Sequence, residues 1–486
     1  MSRLGFFNIK FFFIFVFLFL ALLQNYAQRW ERYYEHEFVD RGNDVIPTSD
    51  GGYVVTGAYN CNDLSGLSPT LCQLFAMKVD GLGNEEWFYS YGDSILMEEG
   101  FGAVETLDGG YITVGNSFNP TMSFTSEGVV LKINAQGHEE WIKIIEDTIN
   151  TFILYDIKEA VDDGYIITGV MRDNVTSYGD NMFLLKIDEQ GNEEWRNNFG
   201  FLIQVEQGLH VQTTQDGGYL VVGSTGANID GTQAYIVKTN VLGNEEWSAF
   251  HGEDGKVIMG TSSTQLDDGS FIVTLNYDVN SSRDFRVLKI SEDGNEEWMQ
   301  TFAGHAATRR GAGTIGLENN EVIIAYTTGS GGLIYRKLDT DGNELWYHHE
   351  PFISNSPHIW GTTCKAHNGG FITTGAVIGD FLDDIALIKA DSLGRVVVSV
   401  DNINNSSSKL FEVYPNPMQE QVNFKSKDFS IREVDIIIYD SHGKVIINKS
   451  EEVNPIVDAS QLPLGIYYYK IKAEDFIQNG KLVKVE

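Results

Sequence analysis

The chain has 486 residues and carries 68 acidic against 34 basic side chains, for a formal net charge of −34. Such a surface repels phosphate backbones and anionic lipid headgroups, which excludes a nucleic-acid partner. The three cysteines have no C-x-x-C spacing, so neither a metal nor a cofactor is expected.

In chain order, Arg3 and Lys10 precede the apolar run Phe11–Leu23, and Ala27 follows as a small residue at a cleavage point. The run is short of the roughly 20 residues a membrane span needs. Residues 1–27 therefore read as a signal peptide, and the mature chain is expected to be exported without a transmembrane helix. In an oxidising compartment Cys61 and Cys72, which share one loop, are expected to form a disulfide. Cys364 lies in an apolar strand pattern and reads as a buried thiol.

From residue 28 to 399 the sequence repeats. "GNEEW" ends at Trp87, Trp195, Trp247 and Trp298, with near-copies ending at Trp141 and Trp346. A second marker keeps the same beat: "DGGYVVTG" from Asp50, "DGGYITVG" from Asp108, "DDGYIITG" from Asp162 and "DGGYLVVG" from Asp216. "DDGSFIVT" from Asp267, "NNEVIIAY" from Asn319 and "NGGFITTG" from Asn368 complete the series. Each unit reads as four short strands joined by glycine turns, and a period near 50 residues with such strands predicts propeller blades. The last unit lacks its tryptophan, and Trp30 supplies one ahead of the first unit. The expectation is all-β: a seven-bladed β-propeller of four-stranded blades, with an N-terminal strand closing the last blade.

The stamp itself is not an active site. Neighbouring residues of a strand point to opposite faces, so Glu193 and Glu194 do not converge on one substrate. Recurrence around a ring also contradicts the single asymmetric cluster that catalysis needs. The tryptophans are expected between sheets and the glutamates as edge-strand charges that discourage pairing with other molecules. "LDTDGNE" from Leu338 is similar to the start of a calcium loop, but other repeats place Ala-Gln or Val-Leu at that point, which favours a plain turn.

Specificity is expected in the variable loops between second and third strands. The three longest belong to the first three units and carry Tyr59, Asn62 and Asp63, then Asn116, Phe118 and Phe124, then Asp173 and Tyr178. Aromatic faces beside amides and carboxylates suit an extracellular glycan or a protein ligand. The alternative is that these loops pack on one another, stapled by Cys61 and Cys72.

Residues 400–409 form a polar linker, and 410–486 read as a small C-terminal β-sandwich. This tail contains Tyr414-Pro415-Asn416-Pro417, a "YD-x-x-G-K" turn around Gly443, "LPLGIYYYKI" around Gly465, and a closing Lys481-Leu482-Val483. In order and spacing it resembles the type A C-terminal sorting domain of the Bacteroidetes type IX secretion system. That resemblance implies the type IX secretion machinery as partner, passage through the periplasm, and an extracellular or outer-membrane-surface destination. The repeats resemble those of uncharacterised secreted propellers. Two functions stay open: a non-catalytic binding propeller, which is preferred, and an extracellular polysaccharide hydrolase or lyase. The second requires one non-repeating acid–base cluster, which the sequence does not locate.

Overall fold

Runs of branched and aromatic residues, broken by glycine turns that reverse the chain, build the whole molecule from strands. The computed structural model describes residues 29–485 apart from 35, 37–39, 63–70, 93–95, 119–125, 147–149, 174–178, 202–203, 227–230, 254, 280–281, 303–311, 328–331, 351–356, 359–360, 368, 379–382, 397–410, 415–417, 427–432, 441–443, 453–454 and 474–475. The signal-peptide and linker assignments lie outside these residues. Two compact units divide at Val396/Val397.

In the first unit each sequence repeat is an antiparallel sheet of the propeller-like kind. The fourth repeat is representative: Val205–Thr213, Tyr219–Gly226, Gln233–Thr239 and Glu245–His251 pair in that order. The final repeat contributes Thr363–Ala366, Gly370–Ile378 and Asp383–Ala390. Its remaining edge is taken by Trp30–Tyr34, antiparallel to the third strand with Trp30 opposite Lys389 and Tyr34 opposite Ile385. The apolar clusters lie between consecutive sheets. One joins Leu220 and Ile236 of the fourth repeat to Phe271 and Leu288 of the fifth. Another joins Trp30, Ile372 and Leu387 of the last repeat to Val45, Tyr53 and Phe75 of the first.

The tryptophans form a relay. Each one on a fourth strand lies over the glycine of the next repeat's turn between third and fourth strands, the glycine of "GN" in most repeats. A β-carbon at Gly191 would fall 2.5 Å from Trp141, one at Gly243 2.3 Å from Trp195, and one at Gly294 2.7 Å from Trp247. Trp87 covers Gly137, Trp298 covers Gly342, Trp346 covers Gly394, and Trp30 covers Gly83 in the first repeat. The indole N–H donates to a carbonyl two residues before the glycine, as from Trp247 to Glu292 (2.9 Å) and from Trp298 to Thr340 (3.0 Å). These glycines have φ between +71 and +81° or close to it (Gly243, +72°; Gly191, +77°). Positive φ and a ring pressed on the Cα together explain why only glycine occupies the site.

The glutamates correct the expectation of plain edge charges. The second glutamate of each pair turns back to a lysine of the third strand that is almost fully buried. Lys78 meets Glu86 and Asp50 (both 2.9 Å), Lys132 meets Glu140 (2.9 Å) and Asp108 (3.0 Å), and Lys238 meets Glu246 (2.8 Å) and Asp216 (2.7 Å). The aspartate is that of the "DGG" turn, so one lysine ties both sequence markers of a repeat together. The Thr106 hydroxyl bond outweighs burial, and with the Gly110 N–H and Lys132 it holds the Asp108 carboxyl down at about 2. A buried ammonium needs such partners, which the strand alternation alone does not reveal. In the last repeat Arg29 stands where the second glutamate would be and pairs with Asp391 at 3.1 Å.

The turn resembling a calcium loop is occupied by its own backbone. Asp339 Oδ1 accepts N–H bonds from Asp341 (3.0 Å) and Asn343 (2.8 Å). In the second unit, Phe411–Tyr414, Gln421–Ser426 and Ile456–Asp458 form one sheet, and Glu433–Asp440, Val445–Glu452, Gly465–Ala473 and Phe476–Lys484 form another. They share a core that includes Phe411, Phe424, Ile436, Ile438, Ile471 and Leu482.

Candidate functional site

The first strands of the repeats surround a cavity of about 450 Å³. Their backbone repeats but their side chains do not. In each of the first five repeats the pairing of first and second strand skips one residue: Asn43, Phe101, Tyr155, Leu209 and Thr261 in turn. All five line the cavity. A bulge re-aims a side chain without ending the strand, so the scaffold presents five different groups at one level. Glycine precedes the skipped residue in four of these repeats. A β-carbon at Gly42 or Gly208 would fall 2.2 Å from the hydroxyl of Thr374 or Thr168 in the preceding sheet, so the bulges rely on close approach of the strands.

The residue six before the turn aspartate or its equivalent, which follows the bulge in those five repeats, forms the next level: Asp44, Gly102, Asp156, His210, Ser262, Gly313 and Thr362. Two residues further on stand Lys158, Gln212, Thr264 and Cys364. Asp44 is already heavily bonded. Its Oδ1 accepts from the Val45 N–H (2.9 Å) and the Thr362 hydroxyl, and its Oδ2 accepts from the Ala103 N–H of the next repeat (2.9 Å). Asp156 repeats the arrangement with the Ile157 N–H (2.9 Å), the Val211 N–H of the following repeat (3.0 Å), and Lys158 Nζ (2.5 Å). Both carboxylates thus peg neighbouring first strands together.

His210 completes the cluster. Its Nδ1 lies 3.1 Å from the Ser263 hydroxyl and its Nε2 3.8 Å from Asp156. Burial lowers its pKa to about 4 against the pull of Asp156, so the ring is neutral at neutral pH. Burial raises Asp44, partly offset by Lys158. Burial opposes the Lys158 ammonium, but Asp156 and Asp44 outweigh it and raise its pKa. Burial also pushes up the pKa of the half-buried Cys364 thiol, away from the thiolate form that a nucleophile needs. Among the described residues, no group of three or more His, Cys, Asp or Glu is arranged to hold a metal ion.

The loop residues expected from sequence are only partly brought together. Tyr59 turns inward, edge-on to Phe88 (5.1 Å between ring centres) and to His36 (6.1 Å). Asn116 and Phe118 end a second strand half-buried, with Asn116 Nδ2 3.3 Å from the Ser126 hydroxyl. Asn62 and Asp173 end their strands, but their side chains lie outside the described residues, as do Asp63, Phe124 and Tyr178. Cys61 and Cys72 are joined by a disulfide. In the tail, Tyr414 is exposed and Gly465 opens a strand opposite Lys484. Lys481 pairs with Tyr468, while Pro415, Asn416, Pro417 and Gly443 lie outside the described residues.

Sequence reasoning missed the cavity residues, although a signal was present. At fixed offsets before the turn aspartate, a regular repeat holds Asn, Phe, Tyr, Leu and Thr, then Asp, Gly, Asp, His and Ser. Variation at one scaffold position is where a repeat array places its specificity.

Comparison with known proteins identifies the tail. Residues 412–485 match the secretion system C-terminal sorting domain. The type IX machinery that reads such a tail exports its cargo to the cell surface or the extracellular space. No curated protein matches the sequence. Among solved structures, the chain is similar to the BP39L lectin from Burkholderia pseudomallei, with a TM-score of 0.49, 8% identity, and coverage of 74% of this chain and 98% of that one. It is also similar to the polysaccharide lyase Uly1, with a TM-score of 0.45, 12% identity, and coverage of 73% and 91%. Sqt1 of Chaetomium thermophilum scores 0.42 at 8% identity, covering 71% and 82%. These likenesses carry no functional argument. No helix among the described residues is long and apolar enough to cross a membrane.

Proposed function

We propose that this protein is an exported, non-catalytic binding propeller. Its architecture is a closed ring of seven four-stranded blades over residues 28–399, latched by the N-terminal strand, after a signal peptide at 1–27. A linker at 400–409 leads to a small sorting β-sandwich at 410–486. The relay of tryptophans, which runs from Trp87 through Trp346 and is completed by Trp30 on Gly83, supports the ring.

The observation that carries the binding reading is the state of the cavity carboxylates. Asp44 and Asp156 each accept backbone N–H bonds from two strands. A general acid or base must exchange a proton with substrate within hydrogen-bond reach, and these groups are committed to holding blades together. His210 is neutral and bonded at Nδ1. What remains free to act is a shaped, chemically varied wall, which suits recognition. The competing reading, a polysaccharide hydrolase or lyase, draws on the same non-repeating cluster. The secreted protein, tested side by side for retention and for turnover of a polysaccharide panel, separates the two. Retention without new reducing ends or unsaturated products is expected, and turnover abolished by His210→Gln would refute the binding reading.

A further inference from the structure

The cavity wall is two-sided. One arc, from the second and third repeats, presents Phe101 and Tyr155 edge-to-face with ring centres 5.5 Å apart. The opposite arc, from the fifth to seventh repeats, is rich in hydroxyls, with Ser262, Ser263, Thr264, Thr314, Thr362 and Thr363 beside Ile315, Cys364 and Lys365. A hydroxyl both donates and accepts, so those already bonded to the frame keep capacity for a ligand. Thr264, for example, accepts the Gly316 N–H at 3.2 Å and retains its own proton. Gln212 Nε2 is buried in this lining without a hydrogen-bond partner. A buried amide donor left unpaired costs about 1–3 kcal/mol, and a ligand oxygen would satisfy it.

The charges narrow the ligand further. Lys158 and Lys365 are the cations of the lining, and the Lys158 ammonium donates to Asp156 at 2.5 Å while Asp44 faces it. Two carboxylates, Asp44 and Asp156, balance these two ammoniums, and in a chain of net charge −34 no surplus positive charge is left to meet a uronate, sulfate or phosphate. The carboxylates are saturated by backbone donors and so do not call for a cation either. The cavity volume falls within the range of small-molecule sites. An aromatic face opposite an edge of hydroxyls, in a lining without net charge, matches the apolar C–H face and hydroxyl edge of a neutral pyranose ring.

We infer that the channel of the propeller binds one neutral sugar ring of a glycan, stacked on Tyr155 and Phe101 and hydrogen-bonded by Gln212 and the hydroxyl arc. This deepens the binding reading and rests on it. The recognition site then lies on the first strands, whose skipped residues give five of the repeats a different contact each, and the rim loops serve access.

The test is a glycan array with neutral, acidic and amino-sugar members, probed with the secreted protein, followed by calorimetric titration of the neutral glycans retained. Three variants accompany it: Tyr155→Ala, Gln212→Leu and the rim control Phe118→Ala, each checked for an unchanged melting transition. Neutral glycans should be retained in preference to acidic ones, and each channel variant should weaken them about tenfold or more, the scale of one lost stacking or hydrogen-bond contact. Phe118→Ala should leave the affinity unchanged. Preference for acidic glycans, or loss in Phe118→Ala with none in Tyr155→Ala or Gln212→Leu, overturns the inference and leaves the binding reading standing. Retention of no neutral glycan also overturns it, and the binding reading then turns on a protein ligand. Turnover of a retained glycan overturns the binding reading itself.

Discussion

Replacing Gly191 by alanine tests the tryptophan relay against an internal control. Gly191 and Gly217 both have left-handed backbone, with φ of +77° and +84°. They differ in their surroundings. A β-carbon at Gly217 meets nothing within 4 Å, whereas at Gly191 it falls 2.5 Å from Trp141 Cη2 and 2.7 Å from Cζ3. Gly217→Ala therefore carries only the cost of an L-residue at positive φ, about 1–2 kcal/mol. Gly191→Ala carries that cost and also forces the indole outward by about 1 Å to restore carbon–carbon contact distance. Overpacking of this kind adds about 1–3 kcal/mol, for a total of about 2–5 kcal/mol. Urea denaturation of each variant reads the difference in midpoint at matched slope. Trp141→Leu combined with Gly191→Ala closes the cycle and should cancel the excess, because the coupling belongs to the pair. If Gly191→Ala costs no more than Gly217→Ala, the tryptophan is not seated on the next repeat and the account of the stamp fails.

The buried lysines behave as ion triads. Asp216→Asn with Glu246→Gln, which strands the Lys238 ammonium, should cost about 3–5 kcal/mol, and Lys238→Met clearly less; equal losses on urea denaturation would contradict the assignment. His210 has a native pKa of about 4, below its unfolded value, so its contribution is complete above about 6.5 and is lost as pH falls toward 4. That loss approaches about 3 kcal/mol. Asp40, raised to about 7 by burial, acts with the opposite sign over an overlapping window. The measurement is therefore the stability of wild type minus His210→Gln, which should shrink between pH 7 and pH 4; a flat difference refutes a buried neutral imidazole. Cys61→Ala with Cys72→Ala should lower stability by close to 3 kcal/mol, the scale for a short closed loop. Unchanged melting would show that the loop is held without its bridge.

Much of the frame was readable because its markers repeat. Turn glycines, the strand alternation and Trp30 ahead of the first unit announced sheets of four and a late partner for the first strand. The ion triads were invisible because their members come from two strands and a turn that are separated in sequence. Glu246 reaches Lys238 across a pairing whose register shifts between Lys238 and Thr239, and no linear pattern reports that. The cavity was missed for a related reason. Attention to what recurs hides what varies at a recurring position, and Tyr155, His210 and Gln212 carry no motif of their own. The loop aromatics drew notice by composition, yet Tyr59 is spent on Phe88 and His36.

The pairing of Trp30–Tyr34 with Asp383–Ala390 sets an order of events during synthesis. The first of the described strands has its partner more than 350 residues downstream, so it stays unpaired until Asp383–Ala390 has been made. Until then Tyr53 lacks His367 and Lys389, which pack on its ring, and the edge of Trp30–Tyr34 stays open. Contacts so distant in sequence form slowly, and open strand edges invite association with other chains. A chaperone or export factor has that interval in which to hold the chain, and completion of the last repeat ends it.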